Sequence, residues 1–246
     1  MQLLVLPLLA ILLSCSTVAA PNDSEPLQWY ERTLPMDRAT ATLEVDGLAV
    51  KMTYGIVGKP ECRRTGTSCP VMVVLPGGAQ NDNLMSEGLR PWAEDLEARG
   101  WLVLSPVALD GEHLFFGDHA AGSGLDQWLA HVSTHYGRTG RPFTLVGVSN
   151  GGISALQLAA RHPGRFAHVL VAPGYMPQTT AVEAFGAQRV TFVIGEHDTW
   201  RAETEQSAHR LAGAGARTHT VVAPGTGHGL FGFLETERLL TLLDTP

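Results

Sequence analysis

Two rhythms of apolar and polar positions run along this chain. Residues 42–45 and 48–54 alternate around Asp46-Gly47, a dipeptide that suits a tight two-residue turn, and predict an antiparallel hairpin at a sheet edge. Beyond it the rhythm changes. Short apolar runs at 71–75, 101–105, 143–148, 166–171 and 190–194 alternate with longer segments of helical period. The helical segments 89–99, 153–161 and 203–211 stop at Gly100, at His162-Pro163-Gly164 and near Gly213, each ahead of the next strand. A run such as Val71-Met72-Val73-Val74-Leu75 has no polar face, so helices must cover both sides of its sheet. The expected fold class is α/β, a doubly wound, mostly parallel sheet with an N-terminal antiparallel hairpin. In such sheets chemistry gathers just beyond the carboxyl ends of the strands.

The chain has 246 residues, 44% of them hydrophobic, and no repeat or low-complexity tract, which suits one core of substantial size. Its 17 basic and 24 acidic residues give a formal charge of -7, without any basic run that could track a phosphate backbone. Nucleic acid is therefore excluded as a partner. Residues 1–13 are continuously apolar but too short to span a bilayer, and Val18-Ala19-Ala20 offers a small-x-small cleavage site. Residues 1–20 thus read as a signal peptide, although no early Lys or Arg precedes them. Leu13-Ser14-Cys15-Ser16 is similar to a lipobox, which makes a lipid anchor at Cys15 the alternative processing route. An extension at 21–40 would follow, then the main domain at 41–246, exported as a secreted, periplasmic or cell-envelope protein with no transmembrane segment in the mature chain. Either route leaves Cys62 and Cys69 as an even pair, and the expectation is a disulfide across a tight polar loop.

The strongest chemical signal follows the run at 143–148. Gly147-Val148-Ser149-Asn150-Gly151 is G-x-S-x-G between a strand and a helix, the setting of a nucleophile elbow; a serine that merely caps the helix is the plainer reading. A serine hydroxyl is a weak nucleophile at neutral pH and needs a histidine base held by a carboxylate. Asp198 follows the strand at 190–194, and His228 lies in Gly225-Thr226-Gly227-His228-Gly229 after the strand-like 218–222. The order Ser…Asp…His is the one this motif requires, and Glu196 is the nearby competitor for the acid. Of the ten histidines, the other nine fall before the acid or within expected helices, strands or their ends. The two N–H donors of an oxyanion hole are expected from Asn150 and from Gly78, with Ala79 as its neighbour, in the loop after 71–75; a flexible turn is the alternative there. His131 and His135 have i, i+4 spacing but lack the glutamate of a zincin motif, and no Cys-x-x-Cys occurs, so neither a metal nor a cofactor is expected.

These residues resemble the α/β-hydrolase superfamily from about Ala41 onward. Leu75-Pro76-Gly77-Gly78 stands where many members carry His-Gly-Gly, with Pro76 departing from that histidine, and Ser149-Asn150-Gly151-Gly152 is similar to the elbow of prolyl-oligopeptidase-like peptidases. The likeness is strongest to small lidless exported serine esterases of the carboxylesterase, polyester-esterase or feruloyl-esterase kind. It implies hydrolysis of small-molecule or polymer-linked esters through an acyl-enzyme; the alternatives are a serine peptidase and a noncatalytic binding protein of the same fold. Members often carry a lid after the strand that follows the elbow helix. Here residues 172–189 have room for a short helix and no lid domain, so the site is expected to be open. Residues 111–124 form its longest candidate wall, with Phe115 and Phe116 as substrate-binding candidates beside the plainer reading of a core-facing pair.

Overall fold

A computed structural model describes residues 36–89, 92–109, 114–117, 121–136, 142–230 and 232–244. The leader expected at 1–20, Cys15 and most of the expected extension lie outside the described residues. Within them the elements run β1 (Asp37–Val45), β2 (Leu48–Val57), β3 (Val71–Leu75), α1 (Asp82–Leu89), α2 (Ala93–Ala98), β4 (Leu102–Pro106) and α3 (Leu125–His135). They continue with β5 (Phe143–Gly147), α4 (Asn150–Arg161), β6 (Phe166–Val171), β7 (Arg189–Gly195), α5 (Arg201–Gly213), β8 (Arg217–Ala223) and α6 (Thr236–Asp244). No described helix is long and apolar enough to cross a membrane.

The strands form one sheet in the order β1-β2-β4-β3-β5-β6-β7-β8. The hairpin turns at Asp46-Gly47 with φ of 52° and 77°, the paired positive angles that such a turn demands. β1 pairs antiparallel with β2, β2 antiparallel with β4, and every later pairing is parallel. β1 starts at Asp37, a few residues ahead of the domain boundary read from sequence. Both faces of β3 are packed, as its unbroken apolar run requires. Val71, Val73 and Leu75 join a core with residues of α3, α4 and α5, while Met72 and Val74 join a second core with α1, α2 and α6.

The helix expected over 89–99 is observed only as α2, and Leu89 instead ends α1. Pro91 interrupts that stretch, and a proline can neither donate the helical N–H nor leave its predecessor free to be helical. α1 went unforeseen because it is a short segment containing Asn83 and Gly88, yet its Met85 and Leu89, spaced i, i+4, are both buried. The chain order reverses around β3, whose neighbours are β4 on one side and β5 on the other. A crevice beyond the carboxyl ends of β3 and β5 follows from that reversal, and it is where the loops after Leu75 and Gly147 meet.

Cys62 and Cys69 are joined by a disulfide. The bridge ties a 3-10 turn, Pro60–Arg63, to the residues that lead into β3. Closing so short a loop restricts the unfolded chain by about 2.5 kcal/mol on the chain-entropy account. The Cys62→Ser/Cys69→Ser double variant is accordingly expected to lose stability of that order in urea unfolding. An unchanged midpoint, or two alkylatable thiols in the unreduced native protein, would remove this role.

His168 on β6 shows how a histidine is absorbed by packing. It is buried, its Nε2 meets Thr191 Oγ1 at 2.8 Å, and its Nδ1 lies 3.0 Å from the Leu243 carbonyl, to which it can donate. Desolvation holds its pKa below the usual histidine value, so it stays neutral inside the sheet.

Candidate active site

Ser149 stands between the end of β5 and the first residue of α4 with φ 54° and ψ −120°, a backbone conformation that costs a non-glycine residue energy and lifts its side chain clear of the sheet. The glycines around it make that turn sterically feasible. A Cβ at Gly147 would lie 2.3 Å from the Gly151 carbonyl oxygen, and one at Gly151 would lie 2.1 Å from the Leu75 oxygen. Both distances are far inside van der Waals contact. The capping reading of Ser149 finds no support, since its side chain makes no cap hydrogen bond to α4.

The Ser149 hydroxyl instead meets His228 Nε2 at 2.8 Å. On the other side of the imidazole, Nδ1 lies 3.0 Å and 3.2 Å from the two Asp198 oxygens. Two loops bring these groups in from β7 and β8. Gly195, the last residue of β7, lets the loop carrying His228 cross closely, because a Cβ there would sit 2.1 Å from the Gly227 carbonyl oxygen. The Asp198 side chain has no exposed surface, whereas that of His228 is 45% exposed. The carboxylate also accepts the Trp200 N–H at 2.8 Å, so its lone pairs are fixed by the protein rather than by solvent.

Glu196, the competing acid, faces elsewhere. Its carboxylate accepts the Gly225 N–H at 2.8 Å and so braces the loop that carries His228. Among the other described histidines, His131 and His135 stack on α3 with ring centroids 5.6 Å apart, and His162 meets Asp126 at 2.7 Å. Among the described residues no group of three or more His, Cys, Asp or Glu side chains is placed to hold a metal ion. His113 and His119 lie outside the described residues.

The loop after β3 packs directly against the elbow. A Cβ at Gly77 would sit 3.1 Å from Ser149 Cβ, and the Asn150 side-chain amide donates to the Gly78 carbonyl at 2.9 Å. As the first residue of α4, Asn150 has a backbone N–H without an intrahelical acceptor. Gly78 has φ 55° in the turn closed by the Gln80 N–H on the Gly77 oxygen.

Phe115, a substrate-binding candidate from the sequence, is corrected by its burial. It has no exposed surface and belongs to the core that includes α3 and α4, so it has nothing to offer a ligand; Phe116 is half-buried. Two aromatic residues that the sequence reading passed over extend from His228 instead, Trp200 against its ring and Tyr175 against Trp200. Trp200 meets the imidazole edge to face at 4.6 Å between centroids, and Tyr175 meets Trp200 in the same manner at 5.1 Å. Both are partly exposed. Their signal was position: Tyr175 follows β6 and Trp200 follows Asp198, both at carboxyl ends of strands. Residues 172–189 carry one 3-10 turn, Val182–Phe185, between β6 and β7.

Comparison with known proteins adds a family context to this geometry. Residues 120–241, just under half of the chain, match the model of the Esterase family. A thermostable esterase superposes over 85% of this chain and 63% of its own, with TM-score 0.67 at 16% identity. The chain is thus similar to the Esterase family over those residues and shares its fold with solved esterases. Brefeldin A esterase, a bacterial homologue of human hormone-sensitive lipase, aligns with 90% of this chain and 78% of its own, with TM-score 0.63 at 18% identity. A cold-adapted esterase from an Arctic intertidal metagenomic library aligns over 81% and 89% respectively, with TM-score 0.55 at 20% identity. Likeness at these identities is one of fold. The chain spans under two thirds of the thermostable esterase's length. No curated protein sequence matches it.

Proposed function

We propose that this protein cleaves carboxylic esters through an acyl-enzyme, with Ser149 as nucleophile, His228 as general base and Asp198 as the carboxylate that orients it. The observation that carries this reading is the unbroken hydrogen-bonded series from Ser149 Oγ through His228 to buried Asp198. His228 Nε2 takes the hydroxyl proton as Ser149 Oγ bonds to the ester carbon, and the imidazolium then returns that proton to the departing alkoxide oxygen. Asp198 holds Nδ1–H and stabilises the imidazolium without itself being protonated. The carbonyl oxygen becomes an oxyanion facing the N–H groups of Asn150 and Gly78, and removal of one such donor typically costs about 10²–10³-fold in rate. Water attacks the acyl-enzyme by the same route in reverse.

Trp200, packed against the base that protonates the leaving group, and Tyr175, packed against Trp200, form the wall for the alcohol portion of a small-molecule or polymer-linked ester. Export through the leader at residues 1–20, or through lipidation at Cys15, completes the proposal; its support is the Cys62–Cys69 bridge, which persists in oxidising compartments.

The acyl side lacks a long apolar cover from residues 172–189, so extra methylenes gain little of the roughly 25 cal/mol per Å² that burial would bring. Rates on p-nitrophenyl esters are therefore expected to fall from butyrate to palmitate, with no jump as substrate passes its solubility limit. Palmitate preference with a sharp rise at emulsion formation would contradict the open site. Absence of any ester hydrolysis that depends on Ser149 would reject the activity itself.

A further inference from the structure

Gln80 is a fully buried polar residue at the end of the loop after β3, and it holds φ 56°, a conformation that glycine adopts freely and glutamine does not. Retaining a long amide side chain there against that cost points to work done by the side chain. Every polar group of Gln80 is engaged. Its N–H donates to the Gly77 carbonyl at 3.0 Å and its carbonyl accepts the Ala108 N–H at 2.9 Å. Its Oε1 accepts the Phe115 N–H at 2.8 Å, and its Nε2 donates to Ser154 Oγ at 2.9 Å. Ser154, also fully buried, passes the connection on by donating to the Asn150 carbonyl at 3.0 Å.

We infer that Gln80 is the positioning residue that holds the two halves of the oxyanion hole in register. This rests on the proposed ester hydrolysis at Ser149. One half, the Gly77-Gly78 turn, hangs from β3; the other, Asn150, opens α4 after β5. Two side-chain bridges span them. The Asn150 amide reaches Gly78 at the exposed rim, and Gln80 reaches Ser154 in the dry interior. The interior bridge is the one solvent cannot replace, because an unpaired group there finds no water. An amide is the right chemistry, offering a donor to a hydroxyl and an acceptor to a backbone N–H at once. An ionised carboxylate keeps only the acceptor, and methionine supplies neither.

The test uses the full-length protein and Gln80→Met and Gln80→Glu variants, with competent sites counted by fluorophosphonate titration of Ser149. Rates per titrated site are measured on p-nitrophenyl butyrate and on its thionoester, whose C=S is a poor acceptor for oxyanion donors. Gln80→Met is expected to lower kcat on the oxoester about 10²-fold with KM unchanged, the mark of an interaction made in the transition state. The oxoester-to-thionoester rate ratio should fall with it. Gln80→Glu should recover both kcat and ratio, relative to the unsubstituted protein, as pH is lowered and the carboxyl regains a proton to donate to Ser154. It carries the test alone if Gln80→Met yields no soluble protein. Unchanged kcat per site, equal losses on the two esters, or a Gln80→Glu profile parallel to that of the unsubstituted protein would overturn the role. A protein not labelled at Ser149 before any substitution would reject the proposed hydrolysis itself, and this inference with it.

Discussion

Ser149→Ala and His228→Ala are each expected to lower ester hydrolysis by about 10⁴–10⁶-fold, and the double variant to be little worse than either alone. The non-additivity follows from the shared step. Without the imidazole, the Ser149 proton has no acceptor at the moment of attack; without the hydroxyl, the imidazole has nothing to activate. In the proposed mechanism their 2.8 Å contact is thus one functional unit. Residual rate in both variants should match, since it would come from whatever binding and oxyanion donors remain. Kinetics of the two single variants and the double on one activated ester decide the matter. Losses that multiply, or hydrolysis persisting in Ser149→Ala, would show that the two residues act separately or that the reaction occurs elsewhere.

Asp198→Asn is expected to cost about 10⁴-fold in kcat, and Glu196→Gln close to nothing on that scale. The two acids lie two residues apart but do different work. Asp198 is buried with His228 Nδ1 3.0 Å away, and in the proposed mechanism it receives Nδ1–H and fixes the tautomer that leaves Nε2 free to accept a proton. An asparagine there can present its N–H₂ to Nδ1 and so favour the wrong tautomer without disturbing the fold. Glu196 is exposed and accepts one backbone N–H, which a glutamine oxygen can accept as well. Far-UV circular dichroism and thermal midpoints on the same preparations separate catalytic loss from unfolding. A damaging Glu196→Gln beside a mild Asp198→Asn would reverse the assignment of the acid.

How much of this was legible beforehand follows from what kind of information each residue carries. The five apolar runs of the parallel strands declare themselves, because a strand buried on both faces needs no partner in sequence to be recognised. Ser149, Asp198 and His228 were legible as candidates because each follows a strand and their order is constrained; the distances among them belong to the folded chain alone. Phe115 misled because hydrophobicity near a site looks the same whether the ring faces a ligand or the core, and here it faces the core. Trp200 and Tyr175 meet only through the crossing of the loops after β6 and β7, a contact between positions 25 residues apart that no local pattern encodes. Gln80 was silent for a similar reason. Its partners, Phe115 and Ser154, come from a loop and a helix 35 and 74 residues away.

The central claim, that Ser149 is the nucleophile of an acyl-transfer site, is tested most directly by peptide mapping after treatment with a fluorophosphonate. The probe phosphonylates a serine only where a base and oxyanion donors activate it, so the modified residue reports the site without reference to any substrate. The expected result is a single adduct on the peptide carrying Ser149, matched by loss of ester hydrolysis, absent in Ser149→Ala and strongly slowed in His228→Ala. An adduct on another residue, or full ester hydrolysis in protein stoichiometrically modified at Ser149, would contradict the account.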